Sequence, residues 1–289
     1  MTISEKRAEF KKTMLSQKEM TVLCGAFDGI TARLVQKIGF DGCYMGGQAA
    51  AASMLGVPDI GLVTATEQIN HVRNLVSCVD MPYVMDADTG YGNALNVRRT
   101  LHDIEDAGVY GAHFEDQVTP KRCGEMSGVS VIPLSEYMKK IETLLTHRRD
   151  PNFLIIGRTD AASCVSIEEA IYRGNEMAAA GVDMVFYGHV IRSIDELKRL
   201  CGETKAPVLY CLMEFSLEVC FTLTELKNAG VSAVIWPNGL LMRWFKAAKD
   251  LMVSFKETGD ARLHFDDLMD MHEVNELLGI REWNPPGMF

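Results

Sequence analysis

Short apolar runs rich in β-branched and aromatic residues alternate along this chain with amphipathic stretches, and the alternation repeats eight times. The strand candidates are TVLCGAF (21–27), GCYMGG (42–47), PYVMDAD (82–88), GAHFEDQ (111–117), FLIIGRTD (153–160), MVFYGH (184–189), PVLYCLM (207–213) and AVIWP (233–237). Helix-like segments fall near 28–38, 64–78, 93–107, 135–148, 166–180, 193–202, 216–229 and 240–256. Three of them end in Ala-Gly, at Ala107-Gly108, Ala180-Gly181 and Ala229-Gly230, where a glycine in the left-handed conformation stops a helix before the next strand. Eight β-α units predict an α/β fold, a closed (β/α)8 barrel of the TIM type. An open doubly wound sheet is the alternative, but no GxGxxG follows the first strand to support it.

Two amphipathic segments stand outside the eight units, about 3–18 and 265–278. Their apolar stripes either cap the barrel ends or form a subunit interface, and the interface is the preferred reading. Residues 1–289 therefore read as one barrel domain, with 258–289 as a C-terminal helical extension. A composition of 47% hydrophobic and 24% charged residues fits a soluble globular protein with a substantial core. A net charge of −10, with no long basic run, argues against a nucleic-acid partner. The eight cysteines lack CxxC spacing, and neither a signal peptide nor a membrane-spanning stretch opens the chain. Reduced thiols, a cytoplasmic location and no membrane partner are expected.

Chemistry concentrates in residues 82–128, where Asp86, Asp88, Glu115, Lys121 and Cys123 crowd the ends of two predicted strands. Carboxylates at the carboxyl end of a buried strand suit a hard divalent cation such as Mg²⁺, and a core would not hold them unpaired. Each residue also has a plainer reading. Asp86 and Asp88 can cap a turn, Glu115 can pair with Lys121 or Arg158, and Arg158 can pair with Asp160. Cys123 can be an incidental thiol, although its place between Lys121-Arg122 and Gly124 favours reactivity. GYGNALN lacks the Lys-Ser/Thr of a phosphate loop and reads as a helix start with Asn93 as cap. The histidines lack metal-ligand spacing, with His189 at a strand end the one to watch, and Tyr187 and Trp236 are candidates for the barrel mouth.

Taken in order, SMLGVPDIG (53–61), MDADTGYGN (85–93), FEDQ (114–117), PKRCG (120–124), GRTDA (157–161) and, more loosely, WPNG (236–239) resemble the isocitrate lyase and phosphoenolpyruvate mutase superfamily. The KRCG stretch is similar to the branch of 2-methylisocitrate lyase, 2,3-dimethylmalate lyase and carboxyphosphonoenolpyruvate mutase. The resemblance implies a barrel with a displaced or swapped C-terminal helix, assembled as a homotetramer of two dimers. It also implies Mg²⁺ at the mouth, with Mn²⁺ as a substitute, and a small carboxylate as substrate. Asp86 and Asp88 would hold the cation directly or through water, with Glu115 in the outer coordination sphere. Arg158 would pair with the substrate carboxylate or enolate oxygen, and Lys121 and Cys123 would sit on a closing loop, the thiol as proton donor. Tyr44, Gly46, Gly47, Asp86, Gly124, Glu125, Arg158 and Cys211 would contact substrate.

The departures from that pattern bear on the substrate. A Ser-Gly usually ends the second strand of the lyases, and here the chain reads Met45-Gly46-Gly47. Glu125 replaces the His of KRCGH, Gly188 takes the place of an acid, and Cys211 and Met213 replace Asn and Thr before Glu214-Phe215. The usual Arg position falls on Met242, with Arg243 one residue away. The groups for a cation and an α-keto acid remain, while those that clamp distal carboxylates are largely gone, which predicts a smaller, less charged or cationic distal group. Three functions are open at this point: a Mg²⁺-dependent carbon–carbon lyase acting on a 2-hydroxy acid through an enolate, a phosphonomutase or oxaloacetate decarboxylase or hydrolase on the same site, and a non-catalytic keto-acid-binding homologue.

Overall fold

The computed structural model describes residues 1–16, 18–124, 126–188, 191–213 and 219–284. Eight parallel strands close into a barrel in sequence order: β1 (Thr21–Gly25), β2 (Gly42–Met45), β3 (Tyr83–Asp86), β4 (Gly111–Glu115), β5 (Leu154–Thr159), β6 (Met184–Tyr187), β7 (Val208–Cys211) and β8 (Ala233–Trp236). Closure runs through β1 and β8, with Thr21 opposite Ala233 and Cys24 opposite Trp236. The strands lie within the predicted runs but stop short of them, because the last residues of each run leave the ladder for the loops of the mouth.

Side chains alternate between two apolar layers, as the two-residue strand period requires. Leu23, Tyr44, Val84, Ile156, Phe186 and Ile235 belong to the barrel interior. Cys24, Cys43, Tyr83, Met85, Phe114 and Val185 belong to the layer beneath the helices. Those helices are α1 (Ile3–Met14), α2 (Gly29–Ile38), α3 (Gly47–Leu55), α4 (Ala65–Ser77), α5 (Ala94–Asp106), α6 (Leu134–His147), α7 (Ala161–Cys164), α8 (Ile167–Ala180), α9 (Ile194–Glu203), α10 (Leu223–Asn228), α11 (Gly239–Thr258), α12 (Met271–Leu277) and α13 (Ile280–Trp283). Gly108, Gly181 and Gly230 all take positive φ after their helices, as the Ala-Gly signals predict.

The N-terminal segment is a cap. Phe10 and Met14 of α1 pack into the interior layer, and Arg7 is buried with Nε donating to the Val109 carbonyl at 2.9 Å. This corrects the interface reading for 3–18, since the apolar stripe of α1 is used within its own barrel. Helix α3 escapes the periodicity because QAAAASML offers no polar face to contrast with an apolar one. The 265–278 segment is not one helix. A 3-10 stretch (Ala261–Asp267) precedes α12, which starts afresh where Asp270 accepts from the His272 and Glu273 N–H groups. Within 216–229, the α-helix of the described part begins only at Leu223.

Candidate active site

The site begins with the turn after β3. Asp86 ends the strand, and its Oδ1 accepts the Asp88 N–H at 2.9 Å. Asp88 (φ 48°) and Tyr91 (φ 60°) then occupy the left-handed region, which a non-glycine residue adopts at a cost and which often marks functional turns. Two bonds hold this turn: Lys140 Nζ donates to the Thr89 carbonyl at 3.0 Å and Thr100 Oγ1 to the Gly90 carbonyl at 3.1 Å. The other Asp86 oxygen accepts the Gly47 N–H at 3.3 Å, at the start of α3 where helix amides favour an anion.

Two cations balance these acids. Lys121 Nζ lies 2.6 Å from Asp59 Oδ1 and 2.7 Å from Asp88 Oδ1, all three groups being buried. The loop that carries it is pinned at Cys123, whose N–H donates to the Asp59 carbonyl at 2.9 Å, and at Arg122, whose backbone exchanges two 2.9 Å bonds with the Gln117 amide. Arg158, at the end of β5, grips Asp160 with two bonds, Nε to Oδ2 at 3.0 Å and Nη2 to Oδ1 at 2.9 Å. Its Nη1 reaches Glu115 at 3.0 Å and Asp86 at 3.8 Å. The guanidinium lies 5.1 Å over the Phe186 ring. Gly188 makes the Arg158–Asp160 grip feasible, because a Cβ there would lie 2.3 Å from Asp160 Oδ1 and 2.6 Å from Arg158 Nε.

Burial drives the Asp86 carboxyl upward, but the charges of Lys121 and Arg158 and the Asp88 N–H hold it below the usual carboxylate range. Asp88 goes the other way, to about 6, because burial and the charges of Asp86 and Asp59 outweigh Lys121. Glu115 is pushed well up by burial despite Arg158. Burial also lowers His113 to about 4, so the ring is neutral at pH 7. Its Nε2 bonds the Tyr44 hydroxyl at 2.7 Å, and its Nδ1 stands 3.5 Å from Asp86 without a hydrogen bond.

A cavity at the mouth encloses about 770 Å³ of atom-free space, part of it open to solvent. Its polar end holds Asp59, Asp86, Lys121 and Arg158, with Cys123 and Gly124 at the rim. The apolar part of its lining is Phe186, beneath Arg158, with Ile191, Met213 and Val219, while Gln48 and Asn238 contribute neutral amides. Of the residues singled out in the sequence, Tyr44, Gly46, Gly47, Asp86, Lys121, Cys123, Gly124, Arg158 and Cys211 all line this cavity. Asp88 and Glu115 do not, and stand behind Lys121 and Arg158. Glu125, His189, Glu214 and Phe215 lie outside the described residues. Arg243 and Met242 are exposed on α11.

The placement of Tyr187 and Trp236 at the mouth is corrected. The Tyr187 hydroxyl bonds Thr204 Oγ1 at 2.6 Å, and the Trp236 ring sits 6.3 Å from Phe40. Both belong to the layer outside the strands, one register position from the inward-facing residues. Asp59, His113, Gln48, Phe186 and Asn238 were not singled out in the sequence. Strand parity was a usable signal for His113, which shares its face of β4 with Gly111 and Glu115.

Among the described residues no three acidic, thiol or imidazole side chains converge as a metal cage. The donor set nevertheless fits a hydrated hard cation. Asp88 Oδ1 and both Glu115 oxygens are buried acceptors without a properly directed hydrogen bond. Asp59 and Asp86 are the carboxylates that line the cavity, and Asp59 is paired with Lys121. Mg²⁺ commonly takes one or two carboxylates and keeps several waters, which matches Asp86 at the cavity wall backed by other acids better than it matches a closed cage.

The family profile of phosphoenolpyruvate phosphomutase matches residues 10–256. Over 271 residues the chain is 35% identical to the 2,3-dimethylmalate lyase of Eubacterium barkeri, covering 94% of this chain and 93% of that one. It is 34% identical to "Probable 2-methylisocitrate lyase 2" of Corynebacterium glutamicum, covering 96% and 90% respectively. A solved structure of oxaloacetate acetylhydrolase bound to 3,3-difluorooxalacetate superposes with a TM-score of 0.90 at 27% identity, over 96% of this chain and 95% of that one.

Proposed function

The chain belongs to the phosphoenolpyruvate phosphomutase family and is a carbon–carbon lyase of isocitrate lyase type, and from that premise we propose that it cleaves a 2-hydroxy acid of the 2-alkylmalate kind to an α-keto acid in a Mg²⁺-dependent reaction. The observation that carries this reading is the polar end of the cavity. One ionised carboxylate, Asp86, lies within reach of a fixed guanidinium, with a Lys121–Asp59–Asp88 cluster on one side and a cysteine thiol at the rim.

Asp86 would hold the cation, with Asp88 and Glu115 acting through its waters. The bound cation supplies Lewis-acid stabilisation of the negative charge that develops on substrate oxygens. Arg158, fixed by Asp160 and Glu115, binds the C1 carboxylate of the substrate. The C2 hydroxyl proton passes through the Lys121 ammonium to the carboxylates around it, Lys121 giving up one proton as it gains another. The C2–C3 bond breaks, C2 becomes the ketone carbon, and the electron pair moves onto C3 and its adjacent carbonyl as an enolate. The Cys123 thiol then gives its proton to C3. The likeness to oxaloacetate acetylhydrolase supports a second reading, hydrolysis of oxaloacetate at the same site.

The test is turnover of a panel of 2-alkylmalates, 2-methylisocitrate, oxaloacetate and phosphonopyruvate, with and without Mg²⁺, followed by mass spectrometry. We expect α-keto acid release from a 2-alkylmalate, abolished by chelator and reduced at least 100-fold in Asp86→Ala. Oxalate and acetate from oxaloacetate, with no alkylmalate cleaved, would favour the second reading; phosphate and pyruvate from phosphonopyruvate alone would point to hydrolase chemistry, and phosphoenolpyruvate without phosphate release to mutase chemistry.

A further inference from the structure

The cavity contains a feature that the cleavage chemistry leaves unused. Asn238, at the turn between β8 and α11, is only 5% exposed and lines the cavity. Its Nδ2 donates to Gln48 Oε1 at 2.8 Å and lies 3.9 Å from Met213 Sδ, while its Oδ1 is buried without a hydrogen-bond partner. A buried acceptor left unmade is costly and is normally satisfied by water or ligand. Gln48 also lines the cavity, one residue beyond the Gly47 amide that faces Asp86.

Charge narrows what this amide pair can receive. Among the described residues that line the cavity, the cationic side chains are Lys121 and Arg158, and acids already hold both: Asp59 and Asp88 around one, Asp160 and Glu115 around the other. Met213 Sδ lies beside the Asn238 amide, and Val219 and Ile191 add further apolar lining to the cavity. A second or third carboxylate placed there would be desolvated without a described cation beside it. A neutral group that both donates and accepts hydrogen bonds would pair with the two amides and bring no charge.

We propose that Gln48 and Asn238 form a neutral subsite for the departing fragment, and that this fragment carries an uncharged carboxamide on a short apolar chain where related lyase substrates carry a second carboxylate. The inference rests on the lyase reading for the orientation of the substrate, with its 2-hydroxy acid at the Asp86–Arg158 end. A carboxamide next to C3 still accepts the electron pair of the broken C2–C3 bond into its carbonyl, so the cleavage balances as before.

The experiment compares 2,3-dimethylmalate with its C4 monoamide. Isothermal titration in Mg²⁺, on the Cys123→Ser protein so that cleavage does not obscure binding, gives the ratio of the two Kd values. That ratio is then repeated with Asn238→Leu and, independently, Gln48→Ala added. We expect the amide to bind at least tenfold tighter, and the ratio to fall to within about twofold of one in either variant. A dicarboxylate that binds as tightly as the amide, or a preference that survives both substitutions, would overturn the subsite. α-Keto acid release from either compound by the unmodified protein reports separately on the lyase reading. A tenfold preference without release would keep the subsite and remove the lyase.

Discussion

At Gly188 the missing side chain decides how Arg158 is used: without a Cβ in the way, the guanidinium folds onto Asp160 with two bonds and presents Nη1 to Glu115 and Asp86. The sequence revealed the substitution but not this consequence, because Gly188, just past β6, and Asp160, just past β5, meet only when the two neighbouring strands pair. The acids and the thiol were legible for a simpler reason, since ionisable residues crowded at strand ends have few structural uses. His113 was not, because a single histidine on a strand reads as core. Its burial lowers the ring to about 4 from an ordinary 6.5, which makes a pH prediction. The unfolded chain takes up this proton near pH 6.5 and the folded chain does not, so the stability contribution is complete above 6.5 and is lost as pH falls toward 4. At about 1.4 kcal/mol per pH unit the full loss is roughly 3 kcal/mol. Asp88, raised to about 6, has the opposite sign between 3.8 and 6. Urea unfolding of the wild type and His113→Gln at pH 7 and pH 4.5 separates the two, and the wild type should lose more stability across that interval. Equal losses would mean that the ring is not held neutral.

Among the elements, strands were legible because their apolar runs are bounded by turns. The residues beyond their ends were harder to assign, since a continuously buried run does not show which way each side chain points. Close backbone approach also leaves little mark on the sequence. Gly25 ends β1 against the turn that carries Pro237 and Asn238, and a Cβ there would lie 1.9 Å from the Pro237 carbonyl oxygen. Gly25→Ala should therefore cost about 3 kcal/mol in denaturant unfolding, because both partners are main chain and cannot swing aside. Gly202, in α9, would meet nothing within 4 Å, and Gly202→Ala should gain about 0.5–1 kcal/mol. Equal effects at the two positions would contradict the close approach that positions the Asn238 turn.

On the scale of the whole molecule, α11 is the element least explained by a lone barrel. Of its twenty residues Leu241 is the buried one, while Trp244, Met252 and Phe255 are 56%, 65% and 53% exposed. We propose that this face packs against other copies of the chain as a dimer of dimers. Sedimentation should give a mass near four times 32.1 kDa, reduced when Trp244→Glu and Phe255→Glu are combined, and a monomer in the wild type would contradict it. No helix among the described residues is long and apolar enough to cross a membrane. The family, the eight units and the polar end of the site were readable from ordered motifs. The amide pair was not, because Gln48 and Asn238 come from distant parts of the chain and meet only when the barrel closes.

The most direct test of the proposed chemistry is cleavage of a 2-alkylmalate in deuterium oxide with Mg²⁺, followed by mass spectrometry of both products. The account predicts an α-keto acid without deuterium from the cleavage step and a partner fragment carrying one deuterium at the former C3, with the rate falling at least 100-fold in Cys123→Ser. Release without deuterium at C3, or full activity in Cys123→Ser, would contradict protonation by this thiol, and no α-keto acid from any 2-alkylmalate would contradict the lyase itself.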